Sequence, residues 1–177
     1  LFTCDEAIGR DASAFFNSIT GFEEMPMEEL IVSPTMLRKK LNQLIRREKE
    51  NALDGKPARI VAKMNSLVDP KIISRLYKAA DAGVQIDLIV RGICCAKVKG
   101  HENLHIRSIV GRFLEHSRIY CFGEGSDRAC YLSSADIMTR NQTRRVEIAC
   151  PVSSPEIRDM LSDYLNNILS DNTKARR

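Results

Sequence analysis

A chain of 177 residues, 44% of them hydrophobic, can bury a proper core and has room for one domain with part of a second. The longest apolar runs, such as 86–90 broken by Asp87, fall far short of the roughly 20 residues of a membrane span, which excludes a transmembrane reading. A net charge of +4 inclines the chain mildly towards anions, but 23 acidic residues dilute it, so the placement of the arginines must choose among nucleotide, nucleic acid and phosphate chains.

The opening Leu1-Phe2-Thr3 has neither an initiator Met nor a basic-then-apolar leader and reads as an excised segment. Residues 11–20 form a helix with Phe15, Phe16 and Ile19 on one side and Gly21 at its stop, followed by an acidic loop over 22–29 that is the expected domain boundary. A short buried strand at 30–32 leads into Ser33-Pro34, an N-cap and a proline at the first helical position. The helix over 35–52 carries Leu37, Leu41, Leu44 and Ile45 as its apolar stripe. Arg38, Lys39, Lys40, Arg46, Arg47 and Lys49 surround that stripe; interrupted by Glu48 and Glu50, they read as a solvated surface rather than a binding face.

A turn at 54–57 opens a strand over 58–64, Asp69-Pro70 starts a helix that stops at Gly83, and 85–90 is the next strand. This alternation predicts an α/β fold with a mainly parallel sheet and right-handed crossovers. Beyond Gly92 short strands follow at 106–110, 118–122, 129–133 and 145–152, with a hairpin-like turn at 123–127. Ser154-Pro155 caps a last helix, in which Ile157, Met160, Leu161, Leu165, Ile168 and Leu169 recur at helical spacing. Six cysteines lack any Cys-x-x-Cys pair and sit mostly in apolar runs, so they read as reduced thiols packed as small hydrophobes rather than as a disulfide framework or a zinc site.

His116-Ser117-Arg118 stands where a strand begins, and side-chain alternation puts its imidazole and guanidinium on one face, where they could grip or protonate a phosphate. Ser133-Ser134-Ala135-Asp136 follows, then Arg144-Arg145-Val146-Glu147 at the opening of another strand. This spacing resembles the phospholipase D superfamily, which pairs a His-x-Lys strand with a Gly-Ser-x-Asn turn and a later acidic residue. Here Arg118 stands at the Lys position and the turn is replaced, departures that count against a working phosphodiesterase. The same resemblance implies that Glu147 accepts a hydrogen bond from a His116 nitrogen, fixing its tautomer.

Three blocks in order are more specific: Ala62-Lys63-Met64-Asn65-Ser66-Leu67-Val68-Asp69, then Ile86-Asp87-Leu88-Ile89-Val90-Arg91-Gly92-Ile93-Cys94-Cys95, then Ser108-Ile109-Val110-Gly111-Arg112-Phe113-Leu114-Glu115-His116. With Asp171-Asn172-Thr173-Lys174-Ala175-Arg176 they resemble the polyphosphate kinase family along nearly the whole chain. That resemblance implies a four-domain enzyme, with residues 1–28 the tail of one phospholipase D-like domain and 29–177 the carboxy-terminal one, a mixed, mostly parallel sheet flanked by helices. It implies catalytic roles for His116 and Glu147, and ATP and phosphate binding by Arg91, His116, Arg118 and Arg145. The phosphorylated histidine would lie upstream, so His101 and His105 are expected to be surface residues. Mg²⁺ is implied with no ligands in this chain, as are ATP or ADP and inorganic polyphosphate as partners, contact with upstream domains, a homo-oligomer and no nucleic acid. The implied location is the cytoplasm, with membrane association left to the full enzyme.

Lys63 and Asn65 are left outside the expected site, since local turn and capping hydrogen bonds account for the polar residues ahead of Asp69. Two other functions compete. One is a polyanion-binding module in which Arg118, Arg140, Arg144 and Arg145 act without catalysis, although 6% aromatic residues and no Trp offer few stacking platforms. The other is a phosphodiesterase of the phospholipase D type.

Overall fold

A computed structural model describes residues 3–21, 26–112, 114–173 and 175–176. Much of the expected boundary loop (22–25), Phe113 of the third block and Lys174 of the last therefore lie outside the described residues. The elements run α1 (Glu6–Thr20), β1 (Ile31–Ser33), α2 (Leu37–Leu53), β2 (Arg59–Met64), α3 (Pro70–Asp81), β3 (Gln85–Val90), β4 (Leu104–Ile109), β5 (Ile119–Phe122), β6 (Ala129–Ser133), α4 (Thr139–Thr143), β7 (Glu147–Pro151), α5 (Pro155–Ser170) and β8 (Ala175–Arg176). The eight strands form one sheet in the order β1-β7-β6-β5-β2-β3-β4-β8.

The sheet is mixed, as expected, but its parallel pairing is confined to β2–β3 and β3–β4. Every other neighbouring pair is antiparallel, which corrects the expectation of a mostly parallel sheet. The reason is connection length: β5 and β6 are joined by a hairpin too short for a crossover, and β7 returns beside β6 in the opposite sense.

Alternation along the central strands feeds two cores. Ile60, Ala62 and Met64 of β2, with Tyr120 and Phe122 of β5, meet Leu37, Leu41 and Leu44 of α2 and Ile72 and Leu76 of α3 on one face. Val61, Ile119, Cys121 and Cys130 face the other way, onto Leu161, Leu165 and Ile168 of α5. Cys121 and Cys130 are direct cross-strand partners with Cα atoms 4.2 Å apart, and their sulfurs are bonded, so the expectation of reduced thiols is corrected for this pair. The antiparallel register brings together two residues that stand nine apart in sequence.

Asp69 and Ser154 cap α3 and α5 as expected, each followed by proline in the first turn. Ser33 does not cap α2. Its hydroxyl donates to the Asn141 carbonyl, the Ser33-Pro34 peptide is cis, and the helix begins at Leu37. The face of α1 also differs from expectation: Ile8, Asp11 and Ala14 are buried, while Phe16 and Ile19 are exposed.

What ties α1 to the sheet is Asp11, only 3% exposed, whose carboxylate accepts from the backbone N–H groups of Glu28, Glu29 and Leu30. Burial pushes the Asp11 pKa up, but those three donors more than reverse it, leaving it below its ordinary 3.8. A carboxyl depressed on folding stabilises the fold above its unfolded pKa and loses that contribution as pH falls through the folded value. Asp11→Ala is expected to cost on the order of 2 kcal/mol in urea denaturation at neutral pH, with the gap from wild type closing as pH falls through the folded pKa. Equal stability of the two proteins at neutral pH would show that α1 is held by other contacts.

Candidate functional site

The carboxyl ends of β2, β3 and β6 and the amino ends of β5 and β7 share one edge of the sheet, which follows from their pairing senses. Residues far apart in sequence meet there: Asn65 after β2, Arg91 after β3, His116 and Arg118 before β5, Ser133 to Asp136 at and after β6, and Glu147 opening β7. In open α/β sheets this carboxyl-end edge is where ligands generally bind.

A chain of hydrogen bonds runs along the edge. Arg91 Nε donates to Asn65 Oδ1 at 2.9 Å, and the Asn65 backbone N–H donates to Asp136 Oδ1 at 2.7 Å. Gly92 makes the close approach possible, since its N–H bonds the Asn65 carbonyl and a Cβ there would lie 2.9 Å from that oxygen. Arg118 grips both oxygens of Asp136, Nε to Oδ1 at 3.0 Å and Nη2 to Oδ2 at 3.2 Å, in the fork geometry of a strong guanidinium–carboxylate pair. Asp136 is buried, so its charge is balanced almost wholly by these donors.

The two terminal nitrogens of Arg118 also lie 3.5 and 3.4 Å from the two ring nitrogens of His116. The guanidinium and the imidazole thus stand side by side, with His116 exposed at the edge and Arg118 fixed behind it. Arg91 is half-buried; Arg140, Arg144 and Arg145 are exposed beside β7 and make no salt bridge among the described residues. Several cations and an exposed imidazole therefore converge on one rim, a geometry suited to phosphate oxygens.

Glu147 is placed differently from the expectation. Its two oxygens accept from Ser134 Oγ and from Asn141 Nδ2, the latter at 2.7 Å, instead of taking a nitrogen of His116. The cause is local: the turn after β6 folds back on β7, with Ser133 and Ser134 bonding the Ile148 backbone, so Glu147 is consumed in anchoring that turn. Tyr120 secures it from below by donating to the Ala135 carbonyl at 2.7 Å. Burial, reinforced by the Asp136 charge, pushes the Tyr120 phenol well up, so it stays a donor.

Lys63 and Asn65 are the residues that sequence reasoning left out. Asn65 is not spent on local capping; it links Arg91 to Asp136. Lys63, 2% exposed, reaches Ser117 Oγ at 2.8 Å and Glu115 at 3.3 Å, the two neighbours of His116, while Tyr164 of α5 bonds both of those side chains. Burial pushes the Lys63 ammonium pKa down and the Glu115 carboxylate only partly restores it. The available signal was a lysine inside an otherwise apolar strand end. His101, bonded to Asp81 and stacked on Tyr77, and His105, near Asp87, serve local structure well away from this edge.

Sheet, helix layers and edge define a phospholipase D-like α/β domain. A phospholipase D family member from Salmonella typhimurium superposes over 84% of this chain and 97% of its own with a TM-score of 0.59; at 14% identity that similarity is one of fold. The model of the polyphosphate kinase C-terminal domain 2 matches residues 30–177, and the chain belongs to the polyphosphate kinase family. It is 46% identical to the polyphosphate kinase of Synechocystis over 99% of its length and 48% identical to that of Pseudomonas aeruginosa over 99%. The crystal structure of polyphosphate kinase from Porphyromonas gingivalis matches 98% of this chain and 27% of its own, with 40% identity and a TM-score of 0.93. The chain spans about a quarter of the length of the curated relatives it matches.

Two outcomes test this geometry. Asp136→Ala strips the partner from a guanidinium that is only 15% exposed and should cost about 3–5 kcal/mol in chemical denaturation; a loss under about 1 kcal/mol would show that Arg118 is solvated. Lys63→Met should speed limited proteolysis within 114–118 about tenfold while β2 and β3 stay resistant. Unchanged cleavage would mean that the lysine does not hold the segment carrying His116.

Proposed function

We propose that this chain is the carboxy-terminal, phosphate-holding part of an enzyme that moves the γ-phosphoryl group of ATP reversibly onto inorganic polyphosphate, through a phosphohistidine outside this chain. The observation that carries the reading is the bonded series Arg91, Asn65, Asp136, Arg118, which fixes one guanidinium beside an exposed His116 and a second at the other end of the series. Phosphoryl transfer asks a protein mainly for positioning and for positive charge arranged in advance, because charge spreads over the equatorial oxygens. Side chains already locked to one another need no reordering when the phosphate arrives.

In this reading Arg91 and His116 bind the nucleotide phosphates, Arg118 holds His116 in place, and Arg145 approaches from beside β7. The bond from the γ-phosphorus to its bridging oxygen breaks, ADP leaves, and the upstream histidine takes the phosphoryl group. That N–P bond then breaks as a terminal polyphosphate oxygen attacks. Here His116 gives or takes a proton or donates to a phosphate oxygen, and Glu147 contributes by holding the Ser134 turn. Exposed Ile93, Val110, Leu114 and Val146 around the same edge support its closure by another domain of the polypeptide.

Magnesium accompanies such chemistry, but the residues of this edge do not fit it. Asp136 and Glu147 are each committed to hydrogen bonds, and no three His, Cys, Asp or Glu side chains gather among the described residues. No step is derived through the ion. Among the described residues no helix is long and apolar enough to cross a membrane. Action in the cytoplasm, self-association and any membrane attachment are proposals for the whole enzyme. The exposed Arg140, Arg144 and Arg145 favour a second reading, polyanion binding without catalysis, which predicts salt-sensitive binding indifferent to nucleotide.

In the full-length enzyme, Arg91→Ala and His116→Ala are each expected to lower turnover about 100-fold or more in coupled assays of both directions. Near-normal activity in both variants would overturn the reading. The 177-residue chain alone should show no turnover.

A further inference from the structure

The basic face of α2, read from sequence as solvated surface, lines a groove of about 600 Å³ between α2, α3 and the end of α4. Arg38, Lys39 and Arg46 line it from α2 and Arg75 from α3, and none of the lining residues is acidic or aromatic. Arg38 is held in place by Asp69 and by Gln142 Oε1 at 3.1 Å. Lys39 and Arg75 are exposed and make no salt bridge among the described residues; Arg46 meets Glu50 in a solvent-exposed pair that does little to neutralise it. Residues 38 and 46 lie two helical turns apart, so the cations follow the groove for about 12 Å.

A second observation points to a ligand. Gln142 is fully buried beneath this groove, yet its Nε2 has no hydrogen-bond partner, and the buried Oδ1 of Asn42 is likewise unpaired. An unpaired buried N–H donor is unfavourable, and an oxyanion at that end of the groove would accept from it, whereas the Asn42 carbonyl oxygen needs a donor such as water. The groove lies beside the site already described. Neighbouring residues of α4 serve both, Asn141 bonding Glu147 at the edge and Gln142 closing the head of the groove.

We propose that this groove is a second anion subsite, which holds a distal stretch of the polyphosphate chain while its end lies at the Arg91–His116 edge; this rests on the proposed function. A row of cations with no aromatic surface recognises repeated phosphates and offers bases nothing to stack on, which selects polyphosphate over single-stranded nucleic acid.

The test uses the full-length enzyme carrying Lys39→Gln, Arg46→Gln and Arg75→Gln together, all at exposed positions outside the catalytic edge. In the direction that phosphorylates ADP, KM for long-chain polyphosphate should rise about tenfold, with KM for ADP and activity on tetrapolyphosphate unchanged. An unchanged KM for long chains, or an equal loss with tetrapolyphosphate, overturns the subsite. Direct binding of long-chain polyphosphate should weaken in the triple variant, whereas single-stranded RNA that binds as tightly as polyphosphate and loses as much would make this a nucleic-acid surface and overturn it too. Should the enzyme prove to have no kinase activity, the proposed function fails, and the binding comparison still decides the groove.

Discussion

The Asp136 carboxylate organises the functional edge. It is buried, it follows β6, and it receives the Asn65 backbone N–H from β2 and the Arg118 guanidinium from the start of β5. An ionised carboxylate taken out of water is tolerated only where donors replace its hydration. That requirement fixes Asn65 and Arg118 relative to each other, and through them Arg91 and His116. The candidate edge thus inherits its geometry from a charge-satisfaction constraint in the layer beneath it.

Two other buried carboxylates work the same way. Asp69 caps α3 with one oxygen, while the other accepts from Arg38 of α2 and from Thr139 of α4 at 2.8 Å, so three helices meet on one side chain. Asp11 gathers three consecutive backbone donors and fastens α1 to the segment leading into β1. Each replaces water with a full set of donors, so removing either partner leaves an unmatched group in a dry place. The boundary expected near residue 28 is therefore crossed by a strong local link.

Much of the fold was legible because local chemistry agrees with it. Asp69-Pro70 and Ser154-Pro155 begin helices as their capping chemistry requires, and the α2 and α3 stripes face the core at helical spacing. Misreadings fall where a distant partner overrides a local preference. Ser33 turns to the Asn141 carbonyl, 108 residues away, instead of capping α2, and Cys121 finds Cys130 through strand register. Phe16 and Ile19 keep helical periodicity but face outwards, because Asp11 decides which side of α1 meets the sheet.

At the site, the sequence by itself determined the residue types and the order of the motifs: His116 and Arg118 just ahead of a strand, Arg91 at a strand end, a polar turn after β6. Those follow from where strands start and stop, which are local properties of the chain. Only the tertiary structure decided the partners. It gave Glu147 to Ser134 and Asn141, placed Asn65 between Arg91 and Asp136, and buried Lys63 between the neighbours of His116. A side chain's hydrogen-bond partner depends on which strands become neighbours across the sheet, and strand order is set by packing between segments that sequence spacing does not relate.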